Sequence, residues 1–156
     1  MRITLVAVGR AKAGPARDLY EHYRERLGHG PFGPLGLKEV EERRPLSVGE
    51  LKKREAELLL AAAPEGARLI ALDEKGKAMT SADFAALLGR WRDEGVKDAA
   101  FLIGGADGLD ASVRQDADLT LSLGPMTWPH LLVRLLLAEQ LYRAQSILTG
   151  HPYHRE

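Results

Sequence analysis

Cysteine is missing from all 156 residues, which excludes a disulfide framework, a zinc–thiolate centre and a thiol nucleophile. Asparagine is missing as well, an absence that a heat-adapted source and a plain composition bias explain equally well. Net charge is also lacking: 22 Lys and Arg balance 22 Asp and Glu. No global basic field is therefore available to hold a polyanion, so any nucleic-acid partner has to be met by a local patch and by shape. Long apolar runs are scarce near the start, where "MRITLVAVGR" breaks at Gly9 and Arg10, too short for a signal peptide or a membrane span. The expectation is a cytoplasmic protein with no membrane partner. Two nucleotide motifs are absent too. The first βα turn, "GRAKAG", does not space its glycines as a dinucleotide fold requires, and no glycine-rich loop ends in Gly-Lys-Ser or Gly-Lys-Thr.

What is present is enough apolar residue, 45%, to fill one core, and the length predicts a single domain over residues 1–156. Short aliphatic runs alternate with helical patterns, the sign of βαβ units and a mainly parallel sheet flanked by helices. Strands are expected at Arg2 to Gly9, Leu37 to Arg43, Ala67 to Asp73, Asp98 to Gly105 and Leu119 to Gly124. The second is polar enough for an edge. Helices are expected from Pro15 to Leu27, from a capping box at Ser47 and Glu50 to Ala63, from Ser81 to Gly95, from an Asp110 cap to Ala117, and from His130 to Gly150.

Ligands of open α/β sheets bind beyond the carboxyl ends of the strands. Three such ends are built from glycine, proline or small residues: "ALDEKGK" (71–77), "IGGADG" (103–108) and "SLGPMTWPH" (122–130). The second carries three glycines in five residues, so an approaching ligand, or the chain itself, meets bare backbone. The final helix is apolar round nearly its whole circumference, which predicts burial on two sides: a core face, and beyond it either more core or a homodimer face. After it comes "HPYHRE". Aromatic and cationic side chains together suit base stacking and phosphate contact, with His151 and Tyr153 the candidate substrate contacts. A metal pair at His151 and His154 is a poor reading, because Pro152 opposes helical placement and no third ligand is supplied, so no metal is expected.

"LIGGADG", "SLGPMTWPHLLVRLLLAEQLYRA" and "HPYHRE" resemble the ribosomal RNA large subunit methyltransferase H family, within the knotted SPOUT methyltransferases. The likeness extends to the opening "ITLVAVG". It implies a SPOUT-type sheet with a C-terminal deep trefoil knot, and a homodimer. The implied activity is S-adenosylmethionine-dependent methylation of N3 of a pseudouridine in 23S ribosomal RNA, on the assembled ribosome. The implied cofactor wall is Leu72, Gly104, Gly105, Leu123, Gly124, Pro125, Met126, Thr127 and Trp128. This sequence departs from the family at Pro125, Met126 and Trp128, where smaller or aliphatic residues are usual.

Methyl transfer to an imide nitrogen needs alignment and a group to take the proton or to stabilise the developing anion. The candidates are His130, Arg143, His154 and Arg155, and the sequence does not single out one base. Two alternatives stay open here: a noncatalytic ribosome-binding factor on the same fold, and methylation of another RNA.

Overall fold

The computed structural model describes residues 1–155; Glu156 lies outside the described residues. Five parallel strands form one sheet in the order β2-β1-β4-β3-β5. They are β1 (Arg2–Val8), β2 (Gly36–Val40), β3 (Arg68–Ala78), β4 (Asp98–Ile103) and β5 (Leu119–Ser122). The helices between and after them are α1 (Pro15–Leu27), α2 (Val48–Ala62), α3 (Ser81–Asp93), α4 (Ala111–Asp116) and α5 (His130–Thr149).

Strand periodicity divides the core in two. Ile3, Leu5 and Ala7 of β1 and Phe101 and Ile103 of β4 pack with side chains of α1, α3 and α5. On the opposite face Val6, Val8, Ala100 and Leu102 meet Ala56 and Leu59 of α2 and Val113 of α4. β1 and β4, at the centre, are apolar on both faces, as parallel strands covered by helices must be. The polar β2 takes an edge, as its alternation predicts, and stops at Val40.

The local stop and start signals are used as read. Pro15 occupies the first turn of α1. Ser47 and Glu50 close a reciprocal capping box, Glu50 N–H donating to Ser47 Oγ (3.3 Å) and Ser47 N–H to the Glu50 carboxylate (3.2 Å). Asp110 caps α4, and α5 ends at Gly150 in the left-handed conformation at φ 72°.

One element departs from the expected outline. β3 was expected to end at Asp73, but it runs to Ala78. It leaves β4 at Leu72 and continues along β5 alone, where Leu121 pairs first with Leu72 and then with Lys77. Residues 73–76 are the extra loop of an irregularity in that ladder. Gly76 makes the close return feasible, because a Cβ there would lie 2.6 Å from the Thr120 carbonyl oxygen.

The expected two-sided burial of α5 is only partly met within one chain. Arg134, Leu137, Ala138, Leu141, Ala144 and Gln145 are buried, and Leu137 is fully so. Leu132, Leu136, Glu139 and Arg143 follow helical spacing on the opposite side and stay partly exposed.

Candidate active site

The three glycine- and proline-bearing strand ends converge. Leu72 to Lys75 at the irregularity within β3, Ile103 to Leu109 at the end of β4, and Leu121, Leu123, Gly124 and Met126 to Pro129 at the end of β5 surround a cavity of about 710 Å³, closed by His130 and Val133 of α5 and by Lys52 of α2. That volume lies within the usual range for small-molecule sites.

Its walls are held by the protein's own polar contacts. Arg114 donates to the Asp73 carboxylate (3.1 Å) and to the Leu109 carbonyl (3.3 Å), tying the first loop to the second. Ser122 Oγ accepts from Gly124 N–H (3.1 Å) and lies 3.2 Å from the Glu74 carbonyl, tying the third to the first. Thr127 Oγ1 reaches the Glu74 carboxylate at 3.4 Å. These links set the cavity's shape before any ligand arrives.

The bare backbone of "LIGGADG" has a specific cause. A Cβ at Gly104 would lie 2.9 Å from the Gly108 carbonyl carbon, and one at Gly105 would lie 2.8 Å from Glu55 Oε2 and 3.1 Å from Val8 Cγ1. The chain crosses itself closely there, and Gly108, at φ 82°, makes the turn that allows it. Glu55 sits beneath this turn, only 7% exposed, its carboxyl pushed up from the ordinary range by burial and then by the charge of Asp107. Sequence reasoning passed over Glu55, which reads as one more charge on a polar helix.

Of the residues expected around the cofactor, Leu72, Gly104, Gly105, Leu123, Gly124, Met126, Thr127 and Trp128 line the cavity, while Pro125 is exposed beside it and is not part of the wall. Met126 and Trp128 are 70% and 41% exposed at its mouth. His130 lines the wall at the start of α5, and its imidazole pKa is lowered by burial and by the charge of Arg134. It is neutral at pH 7, with a lone pair able to accept a proton.

The remaining candidates lie elsewhere. Arg143 stands 13 residues along α5 from His130, about 20 Å at 1.5 Å per residue. It donates to Glu139 (3.0 Å) and to His154 Nδ1 (3.2 Å), which leaves the His154 ring proton on Nε2. Tyr153 turns its ring edge-on to Tyr142 at 4.7 Å, and its hydroxyl donates to Glu139 (3.0 Å) and lies 3.1 Å from that of Tyr23. The tail is thus a packed element through Tyr153. Its stacking surface is shared with Arg26 and Arg143, 5.0 and 4.9 Å from the ring centre. His151 and Arg155 are exposed. One chain therefore brings His130 to the cavity, and Arg143 with His154 to the far end of α5.

A family model described as a predicted SPOUT methyltransferase matches residues 1–154. The chain belongs to the SPOUT methyltransferase family. Within that family it is 63% identical over 155 residues to the ribosomal RNA large subunit methyltransferase H of Paramagnetospirillum magneticum, covering 99% of both chains. It is equally similar, at 63% over 155 residues and 99% of both chains, to the protein of that name from Rhodospirillum centenum. Among solved structures, a probable methylase family protein from Haemophilus influenzae shares the fold at a TM-score of 0.57 and 10% identity, covering 99% of this chain and 70% of that one. The strand-end cavity is therefore set in a SPOUT methyltransferase fold. Among the described residues no helix is long and apolar enough to cross a membrane, and no group of three or more His, Cys, Asp or Glu is placed to hold a metal ion.

Proposed function

We propose that this chain is one SPOUT methyltransferase domain that uses S-adenosylmethionine to methylate N3 of a pseudouridine in 23S ribosomal RNA, in the cytoplasm, on the assembled ribosome. The observation that carries this is the strand-end cavity with a neutral imidazole in its wall. The names of relatives 63% identical over the full length support the rRNA substrate.

The cavity residues fit the cofactor. Main chain at Gly104 and Gly124 offers peptide groups to a purine edge, and carboxylates at Asp73 and Glu74 with the ammonium of Lys52 suit ribose hydroxyls and an amino-acid moiety. When bound, the cofactor supplies a methyl group already activated by its sulfonium. The protein's work is then to orient the uracil ring, to exclude water and to manage one proton. His130, neutral and facing the cavity, accepts the imide proton or orders a water that does so. The remaining cofactor-wall residues, Leu72, Gly105, Leu123, Met126, Thr127 and Trp128, keep the roles that the resemblance implies. Pro125 stiffens the loop beside them.

Arg143, His154 and Arg155 reach a reacting base only if a second copy brings them. The stripe Leu132, Leu136, Glu139 and Arg143, partly exposed along α5, supports a homodimer in which two such helices pack antiparallel. That arrangement sets the cationic end of one chain beside the cavity of the other, where Arg143 and Arg155 stabilise anionic charge and His151 and Tyr153 contact RNA. A trefoil knot belongs to this reading, and the close crossings at Gly76 and Gly104 support it.

Two measurements test the proposal: calorimetry with S-adenosylmethionine, and mass spectrometry of 23S rRNA from unmodified ribosomes incubated with protein and cofactor. A methylated pseudouridine is the expected result. Cofactor binding without any rRNA methylation overturns the substrate, and no cofactor binding overturns the enzyme reading in favour of a ribosome-binding factor.

A further inference from the structure

A second cavity, of about 370 Å³, opens at the carboxyl ends of β1 and β2, between α1 and the start of α5. Four of its wall residues are arginines, Arg10, Arg17, Arg24 and Arg134, against two glutamates, Glu21 and Glu39. Glu39 is already committed, its carboxylate accepting from Ala11 N–H at 2.7 Å and from Arg134 at 3.2 Å. Glu21 lies 3.4 Å from Arg24. Among the described residues, Arg10 and Arg17 have no carboxylate partner within salt-bridge distance.

Two further features give the cavity a positive interior. α1 begins there without a side-chain cap, since its N-cap is Gly14. The first helical N–H to find a partner is that of Asp18, bonded to the Gly14 carbonyl at 3.0 Å, which leaves the N–H groups of the wall residues Ala16 and Arg17 without a partner inside the helix. Deeper in the wall, two buried polar side chains keep an unpartnered atom: Arg134, 2% exposed, at Nε, and Tyr20, 4% exposed, at its hydroxyl. Burial pushes the Tyr20 hydroxyl up to about 12, so it remains a donor at neutral pH. Unpaired buried donors, free helix N–H groups and unmatched arginines together are the chemistry of an oxyanion site.

This cavity adjoins the cofactor cavity. Gly9 stands between them: its carbonyl accepts from Arg134 at 2.7 Å, and a Cβ built on it would lie 4.0 Å from His130 Nε2. His130 and Arg134 are one helical turn apart, about 6 Å along α5. We propose that the second cavity binds a phosphodiester of the substrate RNA about one nucleotide from the methylated base. The protein lacks a global basic field, and this local site supplies the phosphate grip that its neutral chain otherwise does not offer. The inference rests on the rRNA methyltransferase reading.

The test uses the full-length protein and unmodified ribosomes at several salt concentrations. Arg17→Glu and Arg10→Glu should each raise the KM for ribosomes about tenfold and reduce the salt dependence of kcat/KM by about one power of salt concentration. S-adenosylmethionine affinity and melting temperature should not change, because a glutamate in the first turn of α1 suits the helix dipole. Arg17→Lys should restore much of the loss. Wild-type methylation with an unchanged KM and salt slope in both reversals overturns the phosphodiester site while leaving the proposed function standing. Failure of the wild-type protein to methylate rRNA overturns both. Calorimetry with inorganic phosphate separates the remaining source: micromolar binding that Arg17→Glu abolishes, with no change in ribosome KM, assigns the cavity to a free anion and overturns the RNA proposal.

Discussion

Deleting residues 151–156 should cost measurable stability, because Tyr153 is built into the end of α5. The ring of Tyr153 meets that of Tyr142 edge-on at 4.7 Å, an arrangement worth about 0.5–1.5 kcal/mol beyond simple burial. Its hydroxyl donates to the Glu139 carboxylate at 3.0 Å and is 3.1 Å from that of Tyr23. A hydrogen bond to a charged acceptor contributes about 1.5–3 kcal/mol, and the low end applies to a partly exposed pair. The guanidinium groups of Arg26 and Arg143, 5.0 and 4.9 Å from the ring centre, add about 0.5 kcal/mol each at a partly exposed site. Overlap among these contacts leaves about 2–4 kcal/mol. For a chain of this length that lowers the melting temperature by about 5–15 °C. Tyr153→Phe, which keeps the ring and loses the hydroxyl, should account for about a third of the shift. Scanning calorimetry at one fixed protein concentration measures both. A truncated protein melting within 1 °C of the wild type would mean that the tail only rests on the surface, and the reasoning from Tyr153 would be wrong.

The other expectations concern charge and the outer face of α5. Because burial raises the Glu55 carboxyl above its unfolded value, the folded state binds the extra proton, so stability present at low pH is lost as pH rises through the folded pKa. Glu55→Gln should be more stable than the wild type in urea at pH 8 and indistinguishable near pH 4; equal stabilities at pH 8 would refute the cost of burying this charge. His130 titrates below the ordinary histidine value, so the unfolded chain takes up the proton first and stability falls as pH drops below about 6.5. With His130 taking the imide proton, wild-type kcat should fall only at a pH below the ordinary histidine value, and His130→Gln should lower kcat and abolish that limb; an acid limb that survives the substitution assigns the proton to another group. Leu136→Glu should give a folded monomer by sedimentation, whereas Leu137→Glu, placing a carboxylate at a fully buried position, should prevent folding. A Leu136→Glu protein that stays dimeric would move the interface away from this stripe.

Much of the architecture was legible because it rests on local signals. Pro15 fixes a helix start through its ring-locked φ, the Ser47–Glu50 box and the Asp110 cap do so through hydrogen bonds within three residues, and the two-residue alternation of "ITLVAV" fixes the faces of β1. The convergence of three strand ends was legible too, since it follows from a parallel sheet. What escaped depends on contacts between distant residues. Arg134 reads as an interruption in an apolar helix, yet it is buried against the Val8 and Gly9 carbonyls more than 120 positions away. Nothing near Glu55 announces that Gly105 will press on it. The extension of β3 past Asp73 depends on Thr120 leaving room for Gly76, and "EKGK" alone carries no strand pattern. The packed tail was hidden for the same reason, because Tyr153 gains its partners from α1 and α5.

The strand order has a consequence for how the chain is made. β1 lies between β2 and β4, and its partner on the β4 side begins 96 residues later, where Arg2 meets Asp98. At ribosomal rates of about 5–20 residues per second, the interval between the two is about 5–20 s. During that time β1 can pair only with β2, and one whole edge of an almost wholly apolar strand stays open. β3 waits too, since its β4 partner is also unmade when it emerges. The nascent chain therefore spends seconds with unpaired strand edges, the condition that favours aggregation and chaperone capture, and a topology so dominated by distant pairings should fold slowly once released. Arg2, at the first position of β1, sets one charge at the end of that open edge until its partner Asp98 is made.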